Sequence, residues 1–378
     1  MELRKFVAPE FIFGEGARLH AGRYARHLGA RKILLVTDKG VITAGWAEEI
    51  AQCLKKEGLS CEIFSDISPN PRAEEVMKGA EIYRNEGCNF IVSVGGGSPM
   101  DCAKGIGIVS SNKEHVLHFE GVDMVSNPCP PLICIPTTAG TSADVSQFAI
   151  ITDRERKVKI AIISKAVVPD IALIDPVTLT TMDSYLTACT GMDALCHAIE
   201  AYVSNASSPV TDLNALEAIR LITENLIESL NNPMSMKHRN NMMLASLLAG
   251  LAFSNASLGA VHAMAHSLGG FLDFPHGEAN AILLSYVISH NYDVASERYD
   301  RIGEAMKLKL NGDKKKSICK KIVQLRTEAG ITSTLGQKGM KKSDIPQLAY
   351  NAIRDACIVT NPKKAKQKDI ETIYEQAL

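Results

Sequence analysis

Hydrophobic positions in the first half of the chain fall into short, dense runs separated by helical stretches. KILLVTD (32–38), CEIFSDI (61–67), NFIVSV (89–94) and PLICIP (131–136) are rich in β-branched and aliphatic residues with little polar alternation. That is the pattern of strands buried on both faces. A helix-like segment ending near Gly58 follows the first run, and AEEVMKGAEIYRNEG (73–87) follows the second. A strand, helix, strand rhythm predicts a parallel sheet covered by helices on both sides. After PDIALIDP (169–176) these runs stop, and from about Ser184 the chain reads in helical period, as in LNALEAIRLITENLIESL (213–230) and RNNMMLASLLAGLAF (239–253). The expectation is an α/β domain over residues 1–182 and an all-helical domain over residues 183–378.

Composition narrows the classes of function. A chain of 378 residues with 46% hydrophobic and 22% charged content has material for two cores, so disorder is excluded. The 41 basic and 42 acidic residues leave a net charge of -1, which gives no general attraction to nucleic acid or to an anionic membrane. No window approaches the roughly 20 apolar residues of a membrane span, and MELRKFVAPEFIFGEG lacks a signal-peptide core, so a cytoplasmic address is expected. The ten cysteines form no C-x-x-C pair and read as reduced thiols filling the core.

Two loops have the chemistry of a phosphate site. VSVGGGSPMDCAK (92–104) places three glycines after an apolar run and then helix-start residues: Ser98 as N-cap, Pro99 in the first turn, Asp101 three beyond the cap. Glycines admit a ligand close to the backbone, and the amides of a new helix favour a diphosphate. The spacing is not G-x-G-x-x-G, and a tight strand-to-helix turn would use the same residues. PTTAGTSADVS (136–146) also follows a run and offers the hydroxyls of Thr137, Thr138, Thr141 and Ser142. Asp38 closes the first run, where a carboxylate suits ribose hydroxyls and repels a 2'-phosphate, favouring NAD over NADP; capping of the next helix is the competing role.

The helical half holds a second constellation. GMDALCHAIEAY (191–202) puts Asp193 and His197 four apart on one helix face. LGAVHAMAHSLGGFLDFPHGEAN (258–280) adds His262 and His266, again four apart, and then His276. Imidazoles with one carboxylate suit a divalent first-row ion, and the absence of nearby cysteine pairs argues against a structural thiolate site. Spacing does not decide which of the three later histidines stays off the metal, and a buried Asp–His pair with packing histidines would need no ion. Cys196 turns to another part of its helix and reads as packing.

Together GGGSPMDCAK, PTTAGTSAD, TGMDALCHAIEAY, FSNASLGAVHAMAHSLGG and PHGEANAILL resemble the iron-containing, or group III, alcohol dehydrogenase family. The resemblance runs from FIFGEGA to ACIVTNPK. It implies a Rossmann-like amino-terminal domain, a helical carboxy-terminal domain, an active site in the interdomain cleft, and homodimers or larger assemblies. It makes Asp193, His197, His262 and His276 the ligands of Fe²⁺, or of Zn²⁺ or another divalent ion, and leaves His266 as the non-ligand histidine beside nicotinamide and substrate. It implies that NAD is held by Asp38, Asn70, Gly96, Gly97, Ser98, Asp101, Thr137, Thr138, Thr141, Lys159 and Leu179, and that Phe148 and Phe253 wall the substrate pocket. Ser267 stands where many relatives have proline, and Lys363 where many have arginine. The implied reaction is metal-dependent hydride transfer between NAD(H) and a small primary alcohol or aldehyde, with His266 relaying the alcohol proton. The alternatives are a zinc-dependent polyol dehydrogenase of the glycerol type or one of the more distant dehydroquinate synthases, which use related architecture, and a regulatory protein that keeps the fold with little catalysis.

Overall fold

A computed structural model describes residues 4–378. The chain forms two compact units, Val7–Met182 and Asp183–Leu378, the second joined by the short segment that ends at Phe6.

In the first unit the strands are β1 (Glu10–Phe13), β2 (Lys32–Val36), β3 (Ser60–Phe64), β4 (Phe90–Gly95), β5 (Gly121–Val122), β6 (Leu132–Pro136), β7 (Phe148–Asp153), β8 (Val158–Ile163) and β9 (Ile171–Ile174). Its helices are α1 (Ala21–His27), α2 (Lys39–Thr43), α3 (Trp46–Lys56), α4 (Ala73–Asn85) and α5 (Gly97–Asn112). Six strands form one sheet in the order β1-β9-β6-β4-β2-β3, and every pairing in it is parallel. Side chains alternate across this sheet. Leu34 and Val36 of β2 join the core under α4 and α5, whereas Ile33 and Leu35 join the core under α1 and α3. All four are fully buried, at about 1.5–3 kcal/mol each, which is why the run shows no polar alternation.

The connection from β3 to β4 passes over β2, so the direction in which successive strands are added reverses between β2 and β4, although the strands stay parallel. In open α/β sheets the crevice at such a switch point, outside the carboxyl ends of the strands, is where ligands bind. β7 and β8 form an antiparallel hairpin, extended by β5 into a second sheet of order β5-β8-β7. The parallel rhythm of the sequence does not disclose that hairpin.

The second unit contains α6 (Ser184–Val203), α7 (Pro209–Asn231), α8 (Met236–Ala256), α9 (Ala260–Leu272), α10 (His276–Asn291), α11 (Ser296–Ala305), α12 (Lys314–Glu328), α13 (Ile345–Ala352) and α14 (Gln367–Ala377). Asp183 caps α6 by accepting from the Leu186 amide at 2.7 Å, and the helix is buried from Thr187 to Val203. Among the described residues no single helix is long and apolar enough to cross a membrane. All ten cysteines are free thiols, Cys196 fully buried among them.

Candidate functional site

In the first unit the loops singled out by composition meet at the switch point. Asp38 follows β2, Gly96–Ser98 follows β4, and Thr137–Thr141 follows β6, the neighbour of β4. Contact is close: a Cβ on Gly96 would lie 3.1 Å from Thr138 Cγ2, and one on Gly97 would lie 2.9 Å from Thr141 Cγ2. The Ser98 hydroxyl donates to the Pro69 carbonyl, which brings the segment carrying Asn70 to the same place. Thr178 Oγ1 donates to the Pro136 carbonyl at 2.8 Å and holds the 3-10 turn that contains Leu179 at the end of β6.

Ser98 is not the N-cap. The cap is Gly96, in extended conformation, and Ser98 is the second residue of α5. Gly95, at φ 156°, turns the chain two residues earlier than a Ser-Pro-x-Asp rule expects, and a Cβ there would sit 2.6 Å from Pro99 Cγ. The first amides of α5 are therefore offered by glycine and serine backbone at the carboxyl end of β4, a favourable place for an anion. Asp38 does cap α2, its Oδ1 accepting from the Val41 amide at 2.9 Å.

Asp101 turns its carboxyl to the backbone of Ile150 on β7, and burial raises its pKa to about 6 against the opposing charge of Lys104. Lys104, itself fully buried, donates to the carbonyls of Ser146 at 2.8 Å and Phe148 at 2.7 Å. This buried ammonium pins the end of the loop that carries Thr137, Thr138 and Thr141. Phe148 is the buried first residue of β7, and Lys159 lies on β8 opposite Thr152.

In the second unit α6, α9 and α10 bring the carboxylate and imidazoles together. Asp193 Oδ1 lies 3.6 Å from His262 Nε2 and 3.7 Å from His276 Nε2. Two ligands of one tetrahedral ion keep about 3.4 Å between them, so the spacing fits a shared cation. His197, one turn after Asp193, lies flat between rings: its centroid is 4.5 Å from His262 and 4.3 Å from Phe253. Phe253 thus backs an imidazole of the set. His266, one turn after His262, stacks on His276 with centroids 5.3 Å apart.

The environment favours positive charge. Burial opposes ionisation of Asp193, yet His197, His276 and His262 hold its pKa well below the usual carboxylate range. Burial alone would lower the pKa of His262, but Asp193 and Glu200 lift it to about 9. The Asn280 amide nitrogen stands 2.6 Å from Asp193 Oδ1, 3.1 Å from His262 Nε2 and 3.2 Å from His276 Nε2, with two hydrogens for three groups. Asn280 Oδ1 is buried with no hydrogen-bond partner among the described residues. A buried, ionised carboxylate facing imidazole nitrogens at these distances fits a divalent cation.

Three residues that sequence reasoning passes over complete the surroundings. Glu200, buried on α6, accepts from His262 Nδ1 at 2.6 Å and from the Val261 amide at 2.7 Å. It caps the first turn of α9 and fixes the ring it carries, the carboxylate–histidine arrangement common around metal ions. Its place seven residues after Asp193 and three after His197, on the same helix face, is the signal that could have found it. Asn280, four after His276, is detectable in the same way. Asp355 accepts from His266 Nδ1 at 2.9 Å but lies 89 residues away, and no spacing announces it.

The seat of α10 depends on Gly277, where a Cβ would come within 2.5 Å of the Cys189 carbonyl oxygen on α6. The obstacle is main chain and cannot rotate aside. Gly277→Ala is therefore expected to push His276 away from Asp193 and to weaken metal retention by about tenfold with all ligands present, read as metal content after dialysis against graded chelator. Wild-type retention would show that this helix contact does not set the ligand.

The sequence pattern of iron-containing alcohol dehydrogenases matches residues 8–176, and that of the carboxy-terminal domain of the Fe-containing alcohol dehydrogenase family matches residues 187–378. The 1,3-propanediol dehydrogenase of Citrobacter freundii is 41% identical over 372 residues, covering 97% of this chain and 96% of that protein. The NAD-dependent methanol dehydrogenase of Bacillus methanolicus is 36% identical over 377 residues, covering 99% of each. A crystal structure of a 1,3-propanediol oxidoreductase superposes with a TM-score of 0.96 at 39% identity over 100% of both chains. With an α/β unit that carries a glycine turn at its switch point and a helical unit that converges Asp193, His262 and His276, with the His197 and His266 rings stacked on that group, the chain belongs to the iron-containing alcohol dehydrogenase family.

Proposed function

We propose that this oxidoreductase of CH–OH donors transfers a hydride reversibly between NAD(H) and a small primary alcohol or its aldehyde. The convergence of Asp193, His262 and His276, with Glu200 behind His262, is the observation that carries the reading. Asp193, His197, His262 and His276 hold the divalent ion, iron in the first instance. When bound, the ion supplies Lewis-acid stabilisation of negative charge on the substrate oxygen, and the nicotinamide accepts or returns the hydride.

The chain's own residues do the rest. The first amides of α5, at Gly97 and Ser98, bind the diphosphate, with Gly96, Thr137, Thr138 and Thr141 lining it and Lys104 keeping that loop in place. Asp38 and Asn70 serve the adenosine end, and Lys159 and Leu179 positions farther along the dinucleotide; Asp101 supports the turn from the side of β7. Phe253 steadies His197 by stacking and offers the substrate an apolar face in the second unit, and Phe148 is the apolar candidate of the first. As the carbon-bound hydrogen leaves with its electron pair, His266 takes the hydroxyl proton on Nε2 and returns it in the reverse direction. Assembly is as a homodimer or larger, for which the open edge of β1 with exposed Phe11 offers a surface, and the compartment is the cytoplasm, in keeping with ten free thiols.

The test is a panel of short aldehydes, alcohols and diols assayed with NADH/NAD⁺ and NADPH/NADP⁺ on protein loaded anaerobically with Fe²⁺. Oxidation of NADH by short aldehydes is expected, with NADPH slower because the Asp38 carboxylate repels a 2'-phosphate. Binding of NADH with no turnover of any member would show a cofactor-binding protein without this chemistry.

A further inference from the structure

His266 is held through its Nδ1 nitrogen. Its Nδ1 lies 2.9 Å from Asp355 Oδ2, and the pair is buried, with side chains 6% and 8% exposed. The other carboxylate oxygen, Oδ1, accepts from the Cys357 amide at 2.8 Å and caps the 3-10 turn Ala356–Thr360. Burial opposes ionisation of Asp355, but His266 and the Cys357 amide and thiol hold its pKa below the usual carboxylate value. An ionised carboxylate only accepts, so the hydrogen between the two groups belongs to His266 Nδ1.

The frame around this pair is tied on every side. Thr360 Oγ1 donates to the Leu258 carbonyl at 2.6 Å, and the Ala260 amide donates to Asn361 Oδ1 at 3.1 Å, so the segment bearing Asp355 is fastened to the beginning of α9. α9 is fastened beside His266 as well, by Ser267 Oγ to the Leu348 carbonyl at 2.9 Å and by Tyr374 Oη to the Met264 carbonyl at 2.8 Å. Ser267, where many relatives carry proline, thus gains an anchor to α13. Asp355, Cys357 and His266 bring one donor atom each within 4.8 Å. The 2.9 Å His–Asp separation is nonetheless that of a proton-bridged pair, shorter than the about 3.4 Å between two ligands of one ion.

Resting on the reading of His266 as the group that takes the alcohol proton, we propose that Asp355 is its positioning residue. Asp355 fixes the tautomer with hydrogen on Nδ1, and so keeps the Nε2 lone pair as the ring's only acceptor. In oxidation the hydroxyl proton moves to Nε2 while the hydride leaves for NAD⁺; in reduction both return. No proton passes to Asp355, which steadies the ring while it carries the extra charge. An amide at position 355 could instead donate to Nδ1, place the ring hydrogen on Nε2, and block the acceptor.

The experiment compares wild type, Asp355→Asn, Asp355→Glu, His266→Ala and the Asp355→Asn/His266→Ala double variant, each loaded with Fe²⁺, with kcat, KM, bound metal and NADH affinity measured on all five. Asp355→Asn is expected to lower kcat by about tenfold or more, with metal content and NADH affinity within about twofold of wild type. Asp355→Glu keeps a carboxylate and recovers part of kcat. In the His266→Ala background the Asn substitution costs nothing further, because the two residues act as one unit. Equal losses from Asp355→Asn with and without His266, or a wild-type kcat in Asp355→Asn beside a slow His266→Ala, would overturn the role of Asp355 alone. A wild-type kcat in His266→Ala would remove the proton-acceptor reading and the positioning role together.

Discussion

Replacing Asp193 with alanine is expected to abolish turnover, by at least about 10³-fold in kcat/KM, because Lewis-acid stabilisation is worth several kcal/mol and each 1.4 kcal/mol is a factor of ten. Among the described residues Asp193 is the only carboxylate at the convergence point, and its oxygen is common to both short separations, 3.6 Å to His262 and 3.7 Å to His276. Without it a divalent ion meets neutral imidazoles alone in a buried site, with no anion to balance its charge. Asp193→Asn, which keeps the shape and the Asn280 contact but not the charge, should fail in the same way. The measurements are turnover and bound metal on the same preparation. Retention of stoichiometric metal and activity by either variant would remove Asp193 from the site and undo the ligand set.

How much of this the sequence discloses depends on how local each cause is. β2, β4, β6 and β9 are legible because burial on both faces removes polar residues from each run, a property of the run itself. β3 departs from the expected double burial: it is an edge strand with Ser60, Glu62 and Ile63 exposed, and only its Cys-x-Ile-Phe composition marks it in the sequence. β7 and β8 escape, since their hairpin is closed by the charged residues Arg154–Lys157 with none of the Asn-Gly signals of a tight turn. β1 is a short edge strand with exposed residues and offers no buried pattern. The start of α5 is misread because Ser-Pro-x-Asp is a good local cap, while the actual turn is set by Gly95 packing on Pro99.

The same distinction divides the site. Asp193 with His197, and His262 with His266, announce themselves by four-residue spacing on buried helices. Glu200 lies on the same face as the first pair, but a helical glutamate usually points to water, and its partner His262 is 62 residues away. Asp355 gives no sign until the chain folds its carboxylate against His266. The groups proposed to touch a ligand sit in recognisable motifs; the groups that orient them are placed by tertiary structure.

Glu200→Ala should do the largest damage of any substitution outside the ligands. Three buried donors, His262 Nδ1–H, the Val261 amide and, at a longer 3.4 Å, the His262 amide, lose their acceptor, and each orphaned group costs about 1–3 kcal/mol, so metal-free protein is expected to lose about 3 kcal/mol of stability or more. Metal affinity should fall a further 10- to 100-fold, the usual cost of removing the partner that orients a ligating imidazole. Glu200→Gln separates the effects. Its amide oxygen can still take the Val261 hydrogen and cap α9, preserving most of the stability, whereas its neutral end neither charges the His262 ring nor fixes its tautomer as a carboxylate does. Thermal unfolding with and without metal, together with chelator competition, reads the two quantities independently. If alanine lowered stability but left metal affinity unchanged, Glu200 would be a helix cap and nothing more; if it changed neither, the His262 ring would have to be held by contacts other than the 2.6 Å bond that this geometry places behind it.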